Sequence, residues 1–115
     1  MELYNWEQLP AEQMNALVVR KVIHSGQMTI ARLQISKDAV VPEHHHVNEQ
    51  IANVETGALL FRIGGVDQVV SAGESLVIPP NVPHGVVALE DTVVTDVFTP
   101  RREDWIAGDD SYLRR

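Results

Sequence analysis

Apolar residues in this chain recur at every second position or in short β-branched runs, and turn residues interrupt each run before a helix of ordinary length could form. Leu17 to Ile23 is one such run. Met28 to Ile35 alternates, with Thr29, Ala31, Leu33 and Ile35 on the more apolar face and Arg32 and Gln34 on the other. Further strands are expected over Glu49 to Val54, Ala58 to Ile63, Val66 to Val70, Glu74 to Ile78, His84 to Leu89 and Thr92 to Phe98. The breaks fall at His24-Ser25-Gly26-Gln27, Ser36-Lys37-Asp38, Glu55-Thr56-Gly57, Gly64-Gly65, Ser71-Ala72-Gly73 and Glu90-Asp91. Pro42 to Gln50 also reads as extended chain, with a turn at Val47-Asn48. Glu2 to Asn15 is mixed and is assigned an initial strand and a helical turn; one helical turn is expected after Pro100, within Arg101 to Ile106. About nine or ten short strands at this spacing predict an all-β sandwich or barrel.

Composition narrows the picture. The 115 residues suit a single domain spanning 1–115, with a tail over 100–115. A net charge of -7 argues against nucleic acid and anionic membranes, which both demand basic footprints. No cysteine is present, so disulfides and thiolate ligands are excluded. No stretch approaches the ~20 apolar residues of a spanning helix, and the opening Met1-Glu2-Leu3-Tyr4-Asn5-Trp6 lacks the basic and apolar regions of a secretory signal. A cytoplasmic protein is the simplest expectation.

The candidate chemistry lies in two segments. Pro42-Glu43-His44-His45-His46-Val47-Asn48-Glu49-Gln50 holds three of the five histidines. On extended backbone His44 and His46 share a face, two residue rises (~6.6 Å) apart, and His45 points the other way. Gln50 follows the turn and can return an amide oxygen to the same place. Ile78-Pro79-Pro80-Asn81-Val82-Pro83-His84-Gly85 adds a histidine after a rigid turn. His44, His46, Gln50 and His84 are therefore read as one site for a divalent metal: nickel, zinc, iron or manganese. A solvated histidine loop is the competing reading. His24, in a turn signal, is expected to be exposed.

These segments resemble a known family. His44-x-His46-x3-Gln50-x6-Gly57 is similar to the first motif of the cupin superfamily, and Gly73-x5-Pro79-x-Asn81-x2-His84 to the second. The resemblance implies the cupin double-stranded β-helix, a jelly-roll barrel with a metal inside, whose motifs span 42–57 and 73–88 here. Gln50 stands where cupins usually carry Glu, and Asn81 where they carry Gly. The neutral amide leaves a more electrophilic cation, which favours Lewis-acid work over redox chemistry.

A closer resemblance runs from Val41 to Trp105 and reaches Asp96-Val97-Phe98-Thr99-Pro100-Arg101-Arg102-Glu103-Asp104. It is to the pectin-degradation cupins of KdgF type, which linearise 4,5-unsaturated uronates to the open-chain 5-keto product. It implies His44, His46, Gln50 and His84 as ligands, with Asp96, Phe98 and Arg102 as functional residues. The residues alone leave alternatives. Asp96 shares a strand face with Val94 and Phe98, so its carboxylate faces either solvent or a wet cavity near a cation. Phe98 is core or a sugar platform. Arg102 is a solvated partner of Arg101 or a carboxylate clamp at the cavity mouth. Arg62 has no assigned role. A metal-dependent dioxygenase and a non-catalytic sugar-acid-binding module are the rival functions. The resemblance also implies a homodimer, with Met28, Ile30, Trp6 and Trp105 as weak sequence support.

Overall fold

The computed structural model describes residues 1–115. The alternating stretches become strands that pair antiparallel, which sends one side of each strand into a shared interior. In chain order they are β1 (Glu12–Asn15), β2 (Val18–His24), β3 (Thr29–Ile35), β4 (Val40–His44), β5 (Glu49–Thr56), β6 (Ala58–Ile63), β7 (Val66–Ser71), β8 (Ser75–Ile78), β9 (His84–Ala88) and β10 (Thr92–Thr99). A four-residue helix, α1 (Glu103–Ile106), and a 3₁₀ turn at Ser111–Leu113 follow.

Six strands form one sheet in the order β1-β2-β3-β10-β5-β8, and four form the other in the order β4-β9-β6-β7. This is the expected all-β jelly roll. The core lies between the sheets and includes Ala31, Leu33, Ile35, Ala52, Val54, Leu59, Phe61, Val94 and Phe98. The face predicted for β3 is correct: Thr29, Ala31, Leu33 and Ile35 are all buried. Removing such β-branched and aromatic side chains from water contributes ~1.5–3 kcal/mol each.

Two turn residues fix the path near the site. Gly57 has φ +87°, and a Cβ there would come within 2.3 Å of the Asp91 carbonyl oxygen and 2.5 Å of Thr92 Oγ1, so no other residue fits. Asn81 takes φ +63°, and its N–H donates to the His46 carbonyl at 2.8 Å, tying the two histidine-bearing segments together. Its left-handed backbone explains why Asn serves where the motif usually has Gly.

Some details depart from expectation. The extended stretch from Pro42 stops as a strand at His44, which pairs with His84, the first residue of its partner β9. The alternation nevertheless holds: His44 is half-buried, His45 exposed and His46 buried. At the N-terminus a turn at Trp6–Gln8 precedes the first strand. His24 is not an exposed turn residue. It ends β2, half-buried, with Nδ1 2.7 Å from Thr29 Oγ1. Trp105 is buried, so its ring is not part of an outward face.

Candidate metal centre

Hydrogen bonds from the backbone set the chemistry of three imidazoles. His44 Nδ1 lies 2.9 Å from the Pro42 carbonyl, His46 Nδ1 3.0 Å from that of Asn48, and His84 Nδ1 2.8 Å from that of Val82. A carbonyl only accepts, so each Nδ1 carries the proton and each Nε2 keeps its lone pair. This is the arrangement that orients a metal-binding histidine. The rings converge: His44 and His84 centroids are 4.3 Å apart, His46 and His84 4.9 Å, and His44 and His46 5.8 Å. Their ligand nitrogens lie within 4.8 Å of one another. Ligand atoms ~2.1 Å from a shared cation lie roughly 3–4 Å apart.

Burial keeps these imidazoles neutral. It pushes His44 down to about 3 and His46 to about 4, and it lowers His84 as well. The positive charge of Arg102 acts in the same direction on all three.

Two observations test the fit to a metal. His84 Nε2 is buried with no hydrogen-bond partner. His46 Nε2 sits 3.1 Å from Gln50 Oε1. With its proton on Nδ1, His46 faces an oxygen lone pair with a nitrogen lone pair, which repel unless a cation lies against both. Turning the Gln50 amide over would relieve this contact but replace the N–H that faces the Asp96 carboxylate with a carbonyl. Both observations fit a divalent cation. The predicted grouping of His44, His46, Gln50 and His84 is therefore found in one place.

A cavity of about 50 Å³ adjoins His44 and His84, and Asp96, Phe98, Arg102 and Tyr112 also line it. Asp96 thus takes the cavity alternative. Its Oδ1 is buried without a partner. Burial pushes its carboxyl up to about 7, against the opposing pull of Gln50 and Arg102. Phe98 is both core and cavity wall, packed edge-on against His46 at 5.6 Å and Trp105 at 5.1 Å.

Arg102 differs from both expectations. It is buried rather than solvated, and its Nε and Nη2 already grip Asp104 at 3.0 and 2.8 Å. Its guanidinium also lies 4.7 Å from the Phe98 ring centre and 4.2 Å from that of Trp105. The Nε–Nη2 edge of the fork is therefore committed within the protein, and Nη1 makes no hydrogen bond to it. Arg62 binds Asp67 on the surface.

Three contributors escaped the sequence reading: Asp104, Trp105 and Tyr112. The Tyr112 ring stacks on His44 at 4.2 Å with a 23° tilt. It arrives from an aperiodic tail held by Asp110, which pairs with buried Arg20 at 3.0 Å and Arg114 at 2.9 Å. Nothing in the pattern of the tail marks it as part of the site.

Known proteins share this architecture. Residues 31–98 match the family model for the cupin domain. The pectin degradation protein KdgF of Dickeya dadantii is 30% identical over 103 residues, covering 87% of this chain and 94% of the relative. The structure of KdgF from Halomonas sp. superposes with a TM-score of 0.85 at 29% identity, covering 91% of this chain and 98% of that one. An RmlC-like cupin from Shewanella frigidimarina gives a TM-score of 0.85 at 27% identity, covering 91% and 96%. A family match over more than half of the residues, together with a near-full-length relative, establishes that the chain belongs to the cupin family and is related to the pectin degradation protein KdgF.

Proposed function

We propose that this cupin linearises 4,5-unsaturated uronates, opening the ring to the 5-keto-4-deoxyuronate. The observation that carries the reading is the pairing of an imidazole cluster with Asp96, whose buried Oδ1 has no partner and which lines the same cavity as His44 and His84. Similarity to KdgF supports the substrate class.

His44, His46, Gln50 and His84 would hold the divalent cation, whose chemistry is Lewis acidity toward an oxygen that gains negative charge. Asp96 accepts the proton of the anomeric hydroxyl. The freed O–H electron pair forms the C1 carbonyl, and the C1–ring oxygen bond breaks toward the oxygen. That oxygen belongs to an enol ether, so its electrons form the C5 ketone while C4 takes a proton. Asp96 returns the proton it accepted, and the step is an isomerisation with no net redox change. Burial favours the protonated Asp96 that returns the proton, and a bound cation would favour the carboxylate that accepts it. Phe98 packs on the sugar face and the Arg102 charge attracts the acid.

The test is Asp96→Asn, followed by loss of the enol-ether ultraviolet absorbance of lyase-generated monomers. The rate should fall ~10²–10⁴-fold. A loss of only a few-fold would remove Asp96 from the proton-transfer role.

A further inference from the structure

The committed fork of Arg102 leaves the question of what recognises a carboxylate. Nη2 spends one hydrogen on Asp104 and the other on the Tyr112 hydroxyl, at 2.9 Å, and Nε is bound to Asp104. Nη1 makes no hydrogen bond to the protein and belongs to a residue that lines the cavity. The Tyr112 oxygen also accepts from Trp105 Nε1 at 3.1 Å. Guanidinium and indole N–H groups only donate, so the phenol oxygen has its acceptor capacity filled. What remains is its own proton, and no acceptor in the protein takes it.

The surroundings limit where that proton can go. The ring is fixed against His44, and Tyr112 lines the cavity together with Gln50, His84 and Asp96. The tail cannot easily shift: besides the Asp110 pairs, Asn15 Nδ2 donates to the Leu113 carbonyl at 3.1 Å and the Arg115 carbonyl at 2.9 Å. Two free donors, the Tyr112 O–H and Arg102 Nη1, thus belong to groups joined by a single hydrogen bond on one cavity wall. A carboxylate offers two oxygens to such a pair.

We propose that the Tyr112 hydroxyl and Arg102 Nη1 together seat the carboxylate of the ligand, which makes Tyr112 a binding and specificity residue of this site. The inference rests on the sugar-acid reading above and adds the groups that recognise the acid. Trp105 and Asp104 act through them, by orienting the hydroxyl and the guanidinium.

The experiment is calorimetric titration of the metal-loaded protein with D-galacturonate and with D-galactose, which carries a neutral hydroxymethyl group in place of the carboxylate. Neither sugar has the 4,5 double bond, so neither reacts. The native protein should prefer galacturonate. Tyr112→Phe should weaken galacturonate about tenfold, the scale of one hydrogen bond to a charged group, and leave galactose and metal content unchanged, while the melting temperature falls because Arg102 Nη2 and Trp105 Nε1 lose their shared acceptor. Equal weakening of both sugars would show a packing role only, and no weakening would remove Tyr112 from binding; either overturns the inference while the sugar-acid reading stands. If the native protein does not distinguish the two sugars, the sugar-acid reading fails and the inference fails with it. A second measurement does not depend on Tyr112→Phe folding. The chain has two tyrosines, so Tyr4→Phe leaves Tyr112 alone. Its ¹³Cζ resonance should move on saturation with galacturonate and not with galactose; no movement overturns the inference.

Discussion

Removing the metal should make stability fall with acid in a way that the site predicts. In the metal-free protein, burial holds His44 near 3 and His46 near 4, and His84 is lowered too, whereas an unfolded imidazole titrates at 6.5. Below pH 6.5 the unfolded chain therefore binds more protons at these positions, and stability drops as pH falls. Asp96 works in the opposite sense. Its folded pKa of about 7 lies above its ordinary 3.8, so the native state binds the extra proton between those values. From pH 7.5 to 5.5 each imidazole costs at most ~1.4 kcal/mol and Asp96 offsets ~1.9, leaving a ceiling of ~2 kcal/mol lost. His44 keeps solvent contact on its side chain, and screening reduces the loss to ~1 kcal/mol, about 4 °C in melting temperature. Half-buried His24 is lowered as well and adds in the same direction. The carboxylates held down by arginines, Asp104 and Asp110, lose their contribution only below the ordinary carboxylate range, outside this window. The assay is thermal melting of chelated and metal-loaded protein across this pH range. Metal-free stability that is flat, or that rises toward pH 5.5, would refute the reasoning about neutral buried imidazoles.

Other expectations follow from single positions. Gly57→Ala combines a left-handed backbone with a Cβ driven against the Asp91 carbonyl; it should cost about 3 kcal/mol in urea denaturation, and a loss below ~1 kcal/mol would show that the turn can rearrange. His45 is exposed, so His45→Ala should keep the bound metal by elemental analysis. Its neighbour His46 donates Nδ1–H to Asn48 and turns Nε2 to the site, so His46→Ala should lose the metal.

The parts of this molecule that were legible in the sequence are those governed by local rules. Strand faces followed from alternation at Thr29, Ala31, Leu33 and Ile35, since one register buries all four. The convergence of His44, His46 and His84 was legible because histidines at that spacing have few other uses. The face argument also placed Asp96, because Val94 and Phe98 share its side of β10. The burial of Arg102 was not legible because it depends on residues that sequence spacing does not connect to it. Asp104 takes its fork, Tyr112 takes a further hydrogen, and Trp105 covers its face. The same holds for His24, whose partner Thr29 lies across the β2–β3 hairpin. Tertiary pairing decided these residues, and no periodicity records it.

The most direct measurement is metal content and X-ray absorption for the native protein and for His84→Ala. His84 comes from β9, apart in sequence from His44, His46 and Gln50, and its Nε2 is buried with no partner in the protein. A stoichiometric divalent metal with nitrogen and oxygen neighbours at ~2.0–2.2 Å, lost when His84 is removed, is the predicted result. Equal metal content in His84→Ala, or none in either protein, would contradict a site assembled from both segments.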